Sequence, residues 1–130
     1  ADLTEGASIG LFDNAELARL KTDRERDRVM LLTSLQKEGL VPMHLADVTD
    51  VDFESLAVAV HTFLARTPCR LLAIQLEDLL AMREQANVPG TINEHPNWRR
   101  RIPKELETIA VTRLWSRLFD AVRNERPRRS

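Results

Sequence analysis

Apolar side chains at Phe53, Leu56, Ala57, Val60, Phe63 and Leu64 recur at the i, i+3, i+4, i+7 spacing of a helix that buries one face. This predicts a helix from Phe53 to Arg66, stopped at Thr67-Pro68 because the residue before a proline is pushed out of the helical region. Val111, Leu114, Trp115, Leu118, Phe119 and Val122 keep the same spacing and predict the last helix. Ahead of it, Pro103 with residues 104–107 suits a short separate helical turn.

Nearer the start, Asp13 with Glu16 has the character of an N-cap, and Leu17 and Leu20 predict a short first helix. Thr22 with Glu25 reads as a capping box opening a second helix, from about Asp23 to Glu38, with Val29, Leu32 and Leu35 inward and Gly39 ending it. The charged run 23–28 reads as its exposed first turn. Residues 1–12 show little periodicity and two glycines, and predict an extended lead-in; residues 126–130 predict a disordered tail. Between them, 13–125 reads as a single helical domain.

One segment breaks the helical rhythm. Residues 70–76 are short, apolar on both faces, and bounded by Pro68 and by acids, which predicts a fully buried strand. A buried helical segment is the alternative that pattern alone leaves open. Glu77-Asp78 then begin one or two helical turns, where acids favour the helix dipole. The fold class expected is mainly α, with four to five helices and one short strand. A lone buried strand cannot satisfy its own N–H and C=O groups, so it calls for neighbours.

Composition adds limits. A chain of 130 residues holds one domain with a real core, but not a (β/α)8 barrel of roughly 250 residues. No apolar run approaches the length of a membrane span, so no membrane role is expected. A single cysteine, Cys69, excludes an internal disulfide framework and points to a reducing cytoplasm. Net charge is −1, yet acids predominate up to residue 97 and bases from Trp98 onward. This asymmetry fits either a basic tail for nucleic acid or a last helix packed on an acidic body. The helical spacing of these arginines, without a dense basic block, favours the second.

Candidate chemistry narrows to one loop. Asp47, Asp50 and Asp52 lack the mid-loop glycine and closing glutamate of a calcium loop and read as helix caps. His44, His61 and His95 have no partners at metal-ligand spacing, and no metal is expected. Residues 87–99, Asn-Val-Pro-Gly-Thr-Ile-Asn-Glu-His-Pro-Asn-Trp-Arg, hold Pro89, Gly90 and Pro96, so no long helix or central strand passes through. Gly90 permits close backbone approach, the asparagines offer donor and acceptor together, and Trp98 offers a stacking face. Structural readings stand beside these: Asn97 capping the next turn, Trp98 in the core, and Glu77 and Asp78 capping the helix they begin.

These residues also carry a family resemblance. Asn87, Pro89-Gly90-Thr91 and His95-Pro-Asn-Trp-Arg-Arg100 resemble the loop after the last barrel strand of the 4-α-glucanotransferases, the amylomaltases or disproportionating enzymes. Residues 75–80 and Arg24-Glu-Arg-Asp27 are also similar to that family. The resemblance implies the C-terminal part of such an enzyme, the last βα portion of a (β/α)8 barrel. It further implies an α-1,4-glucan or maltooligosaccharide substrate, a retaining double displacement, and no cofactor. Substrate contact is implied for Asn87, Gly90 and Asn97, and no catalytic residue is implied here, because the catalytic acids of the family lie on earlier strands. The chain alone is therefore expected to be inactive. Its expected partners are the rest of the barrel, or a second copy through self-association. Asn93 stands where many relatives are expected to carry an acid. The other reading is an independent helical interaction module whose basic C-terminal helix binds protein or nucleic acid.

Overall fold

The computed structural model describes residues 2–82 and 86–127. It is built from α1 (Asp2–Ser8), α2 (Asn14–Lys37), a 3-10 turn (Val48–Asp50), α3 (Phe53–Arg66), α4 (Leu76–Leu79), α5 (Leu106–Ala110) and α6 (Arg113–Glu125). The expected mainly helical class holds. The finer boundaries shift in several places, each for a local reason.

Residues 2–8 are helical, not an extended lead-in. The Gly6 carbonyl accepts from Leu11 N at 2.9 Å, and the Phe12 ring lies so close to Gly6 that a Cβ there would collide with it. Asp13 caps α2 as expected, its Oδ1 accepting from Glu16 N at 2.7 Å. Two helices were expected from there to Glu38, and one continuous helix is found. No breaker separates them, and the Thr22 hydroxyl donates to Ala18 O at 3.1 Å instead of capping a new start. The tail assigned to 126–130 lies partly outside the described residues; Arg126 itself is well anchored.

Two apolar clusters share α3 as a common wall. Leu32, Leu35, Val41, Val48 and Ala59 form the first, with Leu56, Val60 and Phe63 against it. Leu79, Ile109, Leu114 and Leu118 form the second, with Ala57 and Val58 against it. Burial on two sides explains why small residues, Ala59 and Ala65, are covered in α3, whereas the expected core positions Phe53 and Leu64 are 48% and 39% exposed. The Gln36 amide pins the return loop by donating to Leu45 O at 3.0 Å and Pro42 O at 3.2 Å.

The last helix starts at Arg113, later than its apolar pattern predicts. Thr112 becomes its N-cap, accepting from Trp115 N at 3.3 Å, and Val111 is left outside, 80% exposed. Leu114 and Leu118 then face α3, and Trp115 packs on Phe119 with ring centroids 4.4 Å apart. Arg117 Nη1 lies 3.1 Å from Glu54 Oε2. Arg126 donates to Ala65 O at 2.8 Å and Thr67 O at 3.1 Å, satisfying carbonyls at the end of α3. Two of the C-terminal bases, Arg117 and Arg126, are thus spent on the body of the same molecule.

The strand expected over residues 70–76 is not found; no strand occurs among the described residues. Residues 71–75 take no regular secondary structure, with exposed and half-buried positions alternating. Ile74 and Leu76 pack on the second cluster, but Leu71 points outward, 89% exposed. A strand requires a neighbour's hydrogen-bond ladder, and no such ladder is formed among the described residues.

Two caps carry a pH signature. Hydrogen bonds from Thr49, side chain first and then backbone, hold the Asp47 carboxyl below the usual carboxylate range, with Arg28 adding to the effect. The backbone N–H of Ser55 does the same for Asp52 at the start of α3. Both groups bind a proton less readily folded than unfolded, so their stabilisation is present above the ordinary aspartate range. It is lost as pH falls through that range to the depressed folded values. Asp52→Asn keeps a capping oxygen but removes the titration. It should therefore flatten the acid limb of stability, read as urea midpoints between about pH 5 and 2. An unchanged limb would show that this carboxylate is not linked to folding.

Candidate functional site

The loop between Ala86 and Trp98 closes on itself. Trp98 N donates to Ala86 O at 2.8 Å, and Val88 N donates to the Asn97 side-chain Oδ1 at 2.8 Å. The Asn97 Nδ2 group donates to Thr91 Oγ1 at 2.8 Å and Thr91 O at 3.1 Å. Within this frame Val88-Pro-Gly-Thr91 makes a tight turn, with Thr91 N donating to Val88 O at 3.2 Å and Thr91 Oγ1 to the same oxygen at 2.7 Å. Gly90 occupies the left-handed region at φ +87 that this turn requires. The segment is an Ω-like loop, ordered by its own side chains.

The far side of the loop is held by Glu94. Its Oε2 accepts from Ile92 N at 2.9 Å and Asn93 N at 3.0 Å, and these amides keep the carboxyl below its usual range. Val88 and His95 are buried, at 7% and 2% exposure. Asn87 and Asn97 are half-buried, and Gly90 is exposed. A Cβ built on Gly90 would stand 3.4 Å from the Leu11 side chain, which places this tip beside the link between α1 and α2.

Trp98 corrects the expectation of a core residue: it is 77% exposed and has φ +58. Asn97 before it is fixed from inside the loop, and Trp98 N–H is tied to Ala86, so the indole is left on the outer surface. Asn97 does not cap the following turn either, because its amide is engaged with Val88 and Thr91. The importance of Thr91 was missed as a role; Pro-Gly-Thr placed a hydroxyl at the closing position of a tight turn, which is the signal that could have revealed it.

Glu77 and Asp78 lie in the first turn of α4, but the N-cap is Gln75, so neither caps. Asp78 Oδ2 instead lies 3.6 Å from Nε2 of buried His61, whose Nδ1 is 2.8 Å from Ala57 O. This contact joins α3 to α4. His44 and Cys69 are exposed. Among the described residues no three His, Cys, Asp or Glu side chains converge as a metal site would need. A groove of about 770 Å³ lies between the ends of α3 and α6, lined by Arg66, Thr67, Cys69, Arg70 and Arg126, away from the 86–98 loop. Arg66 there is already paired with Glu38 at 3.2 Å and Glu125 at 3.0 Å.

The turn at Gly90 can be tested by itself. Gly90→Ala should cost about 1–2 kcal/mol, from the left-handed backbone and not from crowding, and Gly90→Asn should cost less. Thermal unfolding of the two variants measures this; equal stability of Gly90→Ala and the parent would exclude the positive-φ turn.

No helix among the described residues is long and apolar enough to cross a membrane. Comparison with known proteins agrees with the motif in the loop. The family described as 4-alpha-glucanotransferase matches residues 6–107, which include α2 to α4 and the whole loop. A 4-alpha-glucanotransferase of Mycobacterium tuberculosis is 38% identical over 122 residues, covering 89% of this chain and 16% of the relative. One from Haemophilus influenzae is 34% identical over 114 residues, covering 83% of this chain and again 16% of the relative. The chain thus spans about a sixth of the length of these relatives. With the match extending over most of its length and through the Asn87–Arg100 motif, the chain belongs to the 4-alpha-glucanotransferase family.

Proposed function

We propose that this chain is the C-terminal portion of a cytoplasmic 4-α-glucanotransferase that moves α-1,4-glucan segments between maltooligosaccharides by a retaining double displacement. In this reading Asn87, Gly90 and Asn97 form its share of the glucan site, and the paired catalytic carboxylates come from elsewhere in the polypeptide. No cofactor or metal takes part. Residues 71–75 take their place as a strand beside the preceding staves of a (β/α)8 barrel, which would cover the outward Leu71. The observation that carries the reading is the loop itself, closed by Asn97 so that Asn87 adjoins the tight turn that holds Gly90 within the family match.

The test is maltotriose disproportionation, followed by glucose release, in the transferase that carries this segment. Asn87→Ala removes one hydrogen-bonding side chain, worth about 0.5–1.5 kcal/mol, and should raise KM about fivefold with kcat little changed. An unaltered KM would remove Asn87 from the glucan contact.

A further inference from the structure

Asn97 has no donor to spare for a sugar. Its amide nitrogen already donates twice to Thr91, to Oγ1 at 2.8 Å and O at 3.1 Å, and its oxygen already accepts from Val88 N at 2.8 Å. An asparagine side chain offers two donors and two acceptor lone pairs, so one lone pair is all that remains. The Thr91 hydroxyl completes the unit, donating to Val88 O at 2.7 Å while accepting from Asn97. A single side chain thus bridges the two limbs of the loop, and its one partner side chain sits in the turn that presents Gly90.

We infer that Asn97 is a positioning residue, and Thr91 its required partner, holding the 88–97 turn in the form that meets glucan. The inference rests on the glucan reading of this loop but changes what Asn97 does there: it acts through the backbone of 88–91 and not by touching sugar. It also assigns a part to Thr91, whose hydroxyl faces Asn97 and Val88.

The test is a double-mutant cycle on maltotriose disproportionation in the transferase carrying this segment, with Asn97→Ala, Thr91→Val and both together. Each single variant should raise KM about tenfold, with kcat held within about twofold, and the double variant should be no worse than the worse single. Thr91→Ser, which keeps the hydroxyl, should stay near the parent. A harmless Thr91→Val beside a damaging Asn97→Ala, or effects that multiply, would overturn the inference in favour of direct sugar contact by Asn97. A fall in kcat at unchanged KM would overturn it too, because mere loss of folded enzyme reads that way. In the 130-residue chain, exchange of the Val88 amide should speed up in both single variants, and unchanged protection would refute the lock whatever the enzyme does. A parent without maltotriose transfer would sink the glucan reading, and this role with it, while the exchange result identifies which of the two failed.

Discussion

Leu118→Ala should lower the unfolding free energy by about 3 kcal/mol, among the largest single-residue effects on stability expected in this molecule. Leu118 is fully buried on α6, between Leu114 and Phe119 and against the wall of α3, in the cluster that also holds Leu79 and Ile109. Truncation removes buried carbons from water-free surroundings and leaves a cavity that two docked helices cannot readily close; such changes cost about 2–5 kcal/mol. For a domain whose whole stability is on the order of 10 kcal/mol, this is a large share. With a slope of about 2 kcal/mol per molar urea, the midpoint should fall by about 1.5 M. Val111→Ala provides the contrast: Val111 has the same apolar character in sequence but is 80% exposed, and its loss should stay within about 0.5 kcal/mol. A shift below about 1 kcal/mol for Leu118→Ala would show that α6 does not dock on α3.

The contrast between Leu118 and Val111 also shows how far the sequence could be read. Helical spacing identified α3 and the body of α6, because periodicity records which face needs cover. It could not tell that the pattern at Val111 begins two residues before the helix does, since that depends on whether the Thr112 hydroxyl caps Trp115 N. Nor could it tell that α3 is covered on two sides, a fact of tertiary packing that moves burial from Phe53 and Leu64 onto Ala59 and Ala65. Asp13 was legible as a cap because its bond is local, whereas Thr22 offered an equally good local signal that the continuing helix overrode.

For residues 71–75 the pattern suggested a strand, but a strand is a property of a pair, and no pairing neighbour is found among the described residues. The loop divides the same way. Its breakers marked Pro89-Gly90 as a turn, and the turn is there with Gly90 at positive φ. The inward aim of Asn97 and the outward aim of Trp98 depend on contacts 6, 9 and 12 residues apart along the chain, which no spacing rule records. The contact between His61 and Asp78, joining two helices, was invisible for the same reason.

The 130-residue chain alone is expected to release no glucose from maltotriose above the buffer blank. Retaining transfer needs two carboxylates about 5 Å apart across the bond to be broken, one attacking and the other passing protons. Many of the acids are occupied with holding the fold. Asp13 and Asp52 cap helices, Asp47 and Asp50 close a capping box, Glu94 gathers the amides of its own loop, Glu54 meets Arg117, and Glu38 and Glu125 meet Arg66. A carboxylate held below its usual range by backbone amides, as Glu94 is, makes a poor proton donor near neutral pH. Losing one member of a catalytic pair already costs several powers of ten in rate, so a chain without the pair should fall below detection. Time courses of glucose release with and without the purified chain measure this directly. Turnover that rises with chain concentration, and disappears on replacing one of its own acids by the amide, would place a complete catalytic pair within these residues and reverse the assignment of chemistry to the rest of the enzyme.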